Sequence, residues 1–139
     1  MIILPGTIIN YPDYVFNDGS TSNKLFVAIN QGSETNDYLL CLTTSQIWKR
    51  LKAKLCYSEN GYYYFPVGTF NKETWILFSK MEYRFFTHIE LVNLLSNKLI
   101  NLPKGLRLQE SEYYSLLDCI LKSDDLATKI KKQIQETKY

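Results

Sequence analysis

Histidine is nearly missing from this chain: one imidazole, His88, serves 139 residues. A catalytic histidine pair cannot form within one copy, so a His-pair nuclease would need two chains sharing a site. Cysteine is scarce as well. Cys41, Cys56 and Cys119 are odd in number and make no CxxC step. With a single histidine beside them they offer no zinc pattern, and no metal site is expected. Their spacing suggests three reduced thiols in a cytoplasmic protein. Neither GxGxxG nor a P-loop is present, which removes the standard nucleotide-phosphate cradles, and no cofactor is expected. Carboxylates are scattered, against a magnesium-dependent nuclease built on clustered acids. Long apolar runs are absent too. "MIILPG" is too short for a signal peptide, and nothing approaches the ~20 residues of a membrane span. The expectation is a soluble cytoplasmic protein with no membrane partner.

What is present fits one domain with one core. The chain is 45% hydrophobic and 22% charged, an ordinary globular balance. A net charge of +2 neither demands nor excludes a nucleic-acid partner. Aromatic residues are abundant at 14%, mostly tyrosine, and suit half-buried strands and base-stacking surfaces alike.

Strand signals fill the first part of the chain. "TIINY" (7–11), "KLFVAIN" (24–30), "YLLCLTT" (38–44), "YYYFPV" (62–67) and "TWILF" (74–78) carry β-branched and aromatic residues between turn clusters. Asp18-Gly19 sits in a polar loop expected to be mobile, and Asn60-Gly61 marks a tight hairpin. "YYYFP" predicts rings that alternate between buried and exposed. The stretch 45–60 satisfies both helix and strand spacing. "TWILF" continues extended or turning through Tyr83.

From residue 87 the period changes. Thr87 with Glu90 three residues on forms a capping-box pattern. Ile89, Val92, Leu95 and Leu99 follow at helical spacing. A second helix places Tyr113, Leu116, Leu117, Ile120 and Leu121 inward. A third starts at Ser123-Asp124-Asp125 and carries Leu126, Ile130 and Ile134 opposite Lys129, Lys131 and Lys132. Strands first and helices last predict a small antiparallel barrel or sheet (about 1–86) with C-terminal helices (about 87–136) in one domain.

The segment with the most chemistry is "CLTTSQ". Thr43, Thr44, Ser45 and Gln46 close the apolar run of 38–42. They are either turn residues that satisfy local backbone groups or a polar cluster presented to a ligand. Hydroxyls and cations without an imidazole or an acid cluster can act on a phosphodiester in one way. The substrate brings its own nucleophile, as RNA does with its 2′-OH, and the protein stabilises the transition state.

"LPGTIINY", the loop with "FNDGSTS", "KLFVAIN" and "YLLCLTTSQ" together resemble the MazF/PemK-like toxins of bacterial toxin–antitoxin pairs. "ETWILFSKMEYRFF" and "LRLQESEYYSLLDCILKS" resemble that family's later strand and closing helix. The likeness runs over most of residues 2–122 as an ordered series of weak motifs. It implies an SH3-like antiparallel β-barrel, a homodimer, and a metal-independent endoribonuclease that cuts single-stranded RNA and is neutralised by an antitoxin. By position the family's catalytic threonine falls on Thr44 and its arginine on Lys24. Lys24 loses the planar fork of a guanidinium. Arg50 and Arg84 are the candidates for a displaced one. Substrate contacts are expected from Tyr11, Tyr14, Phe16, Ser45, Gln46, Lys49 and Arg50, with the rings stacking on bases and the cations tracking phosphates. The alternative is a non-catalytic member of the same fold that acts by protein binding, as a gyrase poison or an accessory module.

Overall fold

A computed structural model describes residues 3–46, 50–79, 82–124 and 126–139. Seven strands precede three helices: β1 (Ile8–Val15), β2 (Thr21–Ala28), β3 (Tyr38–Thr44), β4 (Cys56–Tyr57), β5 (Tyr62–Phe65), β6 (Thr74–Leu77), β7 (Tyr83–Phe86), α1 (His88–Ser96), α2 (Glu110–Leu121) and α3 (Thr128–Gln135). The sheet is antiparallel in the order β1-β2-β3-β6-β5-β4, with β7 also beside β3. Leu77 stands opposite Leu42 and Tyr83 opposite Cys41, so β6 and β7 follow each other along β3.

The sheet does not close into a barrel. Among the described residues no pair joins β1 to β4, the two ends of the order. The outer side of β1 takes single bridges from Arg107 to Thr7 and from Asn101 to Asn10 instead. With two residues, β4 offers too short an edge to complete a ring.

Both faces of the sheet are covered, which is why its central strands read as unbroken apolar runs. Ile8, Val27, Leu39, Cys41, Tyr63, Ile76 and Phe78 pack against Leu116 and Ile120 of α2 and Ile134 of α3. Ile9, Phe26, Leu40, Leu42, Tyr62, Tyr64, Trp75 and Leu77 gather on the other face with Leu91 of α1 and Ile100. All four residues of β5 are buried. The expected exposed rings are absent there because each face of β5 has its own core to enter.

Residues 11–23 form a hairpin, not the mobile loop expected. Tyr14 faces Ser22 and Val15 faces Thr21, after an irregularity between Tyr11 and Tyr14. Pro12 lies in that gap, where a ladder donor is missing. The Asp18 carboxylate accepts from the Ser20 N–H and hydroxyl and pins the turn. Within the ambiguous stretch 45–60, Cys56 and Tyr57 form β4, and residues 50–55 take neither form. Residues 50–55 are irregular, and their backbone is satisfied by ring groups. Leu51 N–H donates to Tyr62 Oη, Lys54 N–H to Tyr57 Oη, and Trp75 Nε1–H to Leu51 O at 2.9 Å. Ile47, Trp48 and Lys49 lie outside the described residues.

Thr87 caps α1 and the capping box with Glu90 is complete. The buried face is shifted from the expected one. Leu91 is 1% exposed, whereas Ile89 is 69% exposed and Leu99 is also at the surface. "IELVNLL" carries two overlapping apolar stripes, and docking selects Leu91, Leu94 and Leu95. In α2 the inward set is as expected, with Leu121 only partly buried. Helix α3 starts later than Ser123: Ala127 is its N-cap, and Ser123 is buried. Asp125 lies outside the described residues.

Cys56 and Cys119 form a disulfide between β4 and α2, which corrects the expectation of three free thiols. Their Cα atoms are 5.6 Å apart across a separation of 63 residues, a proximity that only the helix-on-sheet packing creates. Cys41 remains free and buried.

The packing of α1 yields a paired prediction. Leu91→Ala should cost about 2–5 kcal/mol in denaturant unfolding, and Ile89→Gln should stay within about 0.5 kcal/mol. Equal costs at both positions would place the wrong face inward.

Candidate functional site

Strands β2 and β3 pair only at Phe26–Leu42, Val27–Cys41 and Ala28–Leu40. Continued for two more residues, that register would set Lys24 opposite Thr44. The strands part there instead, and side chains take over from the ladder. Thr43 Oγ1 donates to Leu25 O at 2.8 Å, and Lys24 Nζ donates to Thr43 O at 3.3 Å. Each satisfies a carbonyl that a backbone N–H would otherwise meet.

The parting opens a cleft of about 500 Å³. One side is Asn23 to Leu25 of β2, the second is Thr43 to Ser45 at the end of β3, and the third is Thr69 to Lys72 in the connection between β5 and β6. Lys24 and Thr44, far apart in sequence, thus meet at one site. Its described lining holds two lysines and no carboxylate. Among the described residues no group of acids, histidines or cysteines could hold a metal ion.

Other expected site residues sit around this cleft in different roles. Ser45 lines it, and Gln46 is exposed just beyond. Gln46 N–H donates to Thr44 Oγ1 at 3.3 Å, so this hydroxyl serves the turn while its own proton stays available. Tyr11, Tyr14 and Phe16 form an aromatic row with edge-on contacts at Tyr14 of 5.3 and 5.2 Å. Tyr14 also packs on Phe26 and accepts a hydrogen bond from Arg84 Nε. At 8% exposure its ring is spent on the core and leaves no face for a base. Tyr11 and Phe16 are half-buried, and Lys24 Nζ stands 5.7 Å from the Phe16 centroid. His88 keeps a structural place at the start of α1, its ring stacked on Tyr38.

Arg50 is not part of the cleft lining. Its Nη2 pairs loosely with Glu82 at 3.7 Å, and its buried Nη1 has no hydrogen-bond partner among the described residues. Lys49 lies outside the described residues. Lys72, Asn23 and Asn71 were not singled out from sequence. Lys72 and Asn71 belong to "NKET", a polar stretch with no signal beyond that of a turn.

The amine of Lys24 is held below the usual lysine range. Burial is the main cause, the like charge of Arg50 adds to it, and Glu82 opposes it. Lys24 is therefore a cation that gives up its proton more readily than a surface lysine, in a cleft that Thr44 also lines. The pair can bind an oxyanion and deliver a proton to it.

No protein-family model, no curated protein and no solved structure matches this chain.

The sign of the Lys24 shift gives a measurable consequence. Just below the ordinary lysine pKa of 10.5 the unfolded chain still holds the proton that folded Lys24 has released. The Lys24 contribution to stability therefore rises with pH through that window. By NMR titration of lysine side chains, Arg50→Ala should move the Lys24 midpoint upward and Glu82→Gln should move it downward. A midpoint equal to that of the exposed lysines in all three proteins would remove this electrostatic coupling.

Proposed function

We propose that this chain is a MazF/PemK-like toxin, a metal-independent endoribonuclease for single-stranded RNA, built on an opened form of that family's SH3-like barrel. One observation carries the reading: Lys24 and Thr44 share a cleft whose described lining holds a second lysine and no acid. Such a lining attracts phosphates and has no use for a divalent cation.

The reaction follows from the groups available. The 2′-oxygen of the substrate attacks phosphorus, a new P–O2′ bond forms, and the P–O5′ bond breaks. Thr44 Oγ1–H donates to a non-bridging oxygen as charge builds there. The Lys24 ammonium stabilises the same charge and passes a proton to the leaving 5′-oxygen. Solvent accepts the 2′ proton and restores the ammonium. The products are a 2′,3′-cyclic phosphate and a 5′-hydroxyl. Phe16 and Tyr11, both half-buried, offer ring surface to flanking bases. An antitoxin segment that occupies the cleft would block all of this, and a second copy of the chain is the expected partner in solution.

A second reading has its own support. Lys24 Nζ and Thr43 Oγ1 are engaged in closing the gap between β2 and β3, and Thr44 Oγ1 accepts from Gln46 N–H. A site in which Lys24, Thr43 and Thr44 all serve the backbone suits a non-catalytic binding module of the gyrase-poison or accessory type.

Purified protein incubated with single-stranded RNA in EDTA separates the two. The nuclease reading expects cyclic-phosphate ends, a loss of about 10²-fold or more in Thr44→Val, and a comparable loss in Lys24→Ala. Intact RNA, or cleavage indifferent to both substitutions, leaves the binding module.

A further inference from the structure

The third wall of the cleft is the connection between β5 and β6. Thr74 of β6 holds its end by donating to Lys72 O at 2.9 Å, and a side chain of α2 anchors its middle. Thr69 Oγ1 donates to both carboxylate oxygens of Glu112, at 2.8 and 3.0 Å. Glu112 also accepts from Gln109 N–H at 2.8 Å and so closes the start of α2. Phe70, next in the chain, is buried in the helix-side core against Phe65. Asn71 and Lys72 follow on the cleft.

Glu112 and Cys119 are seven residues apart on α2, two turns, and so lie on the same face of it. Cys119 is bonded to Cys56 of β4 on that face. The helix is therefore tied twice to the β4–β6 end of the sheet, covalently near its C-terminus and through Thr69 near its N-terminus. Cys56 is only partly buried whereas Cys119 is buried, so the Cys56 side is the one nearer to solvent. Cys41 lies outside this chemistry: burial pushes its thiol far above the usual range, so it stays protonated.

We propose that the Cys56–Cys119 disulfide is a redox-sensitive control on the cleft, with Glu112 as the positioning residue that transmits it to Thr69 and hence to Lys72. A dithiol reductant supplies two electrons and two protons. The S–S bond breaks, two thiols form, and the reductant becomes a cyclic disulfide. Helix α2 then keeps its apolar contacts but loses its covalent tie, and the Thr69–Glu112 anchor loosens. Lys72 ceases to be a fixed phosphate contact. In a reducing compartment the loosened form is the resident one. The phosphate part of this proposal rests on the function proposed above; the mechanical part does not.

Two measurements keep those parts separate. Amide hydrogen exchange across residues 66–73 needs no ligand. Reduction with dithiothreitol should speed it tenfold or more while the β1–β2 hairpin amides hold their rates. Thr69→Val should reproduce that effect in the oxidised protein, and Thr69→Ser should restore slow exchange. Rates in 66–73 that ignore both reduction and Thr69→Val overturn the proposal. So does a rise shared by the hairpin, which would mean general unfolding. Fluorescence anisotropy with a labelled single-stranded RNA then tests the ligand. Binding should weaken about fivefold on reduction. The slope of log affinity against log salt should flatten by roughly 0.7, the value for one lost phosphate contact on a single strand. Lys72→Ala should show the same flattening and gain nothing more from reduction. Fully additive effects of the two would sever Lys72 from the switch. If exchange responds but oxidised wild-type protein binds no RNA, the mechanical coupling stands and the nuclease reading falls.

Discussion

The parting of β2 from β3 is the feature on which the site depends. A strand pair that ends in mid-sheet leaves carbonyls exposed in a half-buried place, and such groups must be met. Thr43 meets one and Lys24 the other. The same act that satisfies the backbone holds a cation at the end of β3, on the cleft that Thr44 lines. Burial and Arg50 then lower the affinity of that amine for its proton. A side chain that fills a gap in the ladder is also one that a phosphate oxygen could claim instead.

The rest of the fold makes that gap affordable. With helices on one face and α1 with the 97–101 turn on the other, the central strands bury side chains on both sides. The sheet therefore tolerates an open end without losing its core. Closure is absent because β4 is too short and β1 is bridged by residues near 101 and 107. The strap at 50–55, held by tyrosine hydroxyls and the Trp75 indole, shows the same economy: irregular backbone is allowed wherever ring polar groups can reach it.

Much of this was legible in the residues. "YLLCLTT" and "TWILF" announce strands, Asn60-Gly61 a tight turn, and Thr87 with Glu90 a helix start, because each depends on local backbone physics. Gly61 takes φ +78°, as the turn requires. The hairpin of residues 11–23 reads as a loop in sequence because polar residues on a strand pair look like one until a partner is known. The buried face of α1 is not legible because "IELVNLL" is apolar on more than one side. Thr44 and Lys24 could be paired only through a family likeness, since nothing local links a strand end to a strand start some twenty residues before it.

By itself the sequence determined most element types, the order of strands before helices, and the lack of a histidine pair within one copy, a CxxC step and a P-loop motif. Those follow from spacing and residue supply, which act over a few residues. Tertiary structure alone decided that the sheet stays open, that Cys56 meets Cys119, that Tyr14 is core, and that Lys72 joins the cleft. Each of these is a contact between distant segments, and its energy exists only once the helices have settled on the sheet.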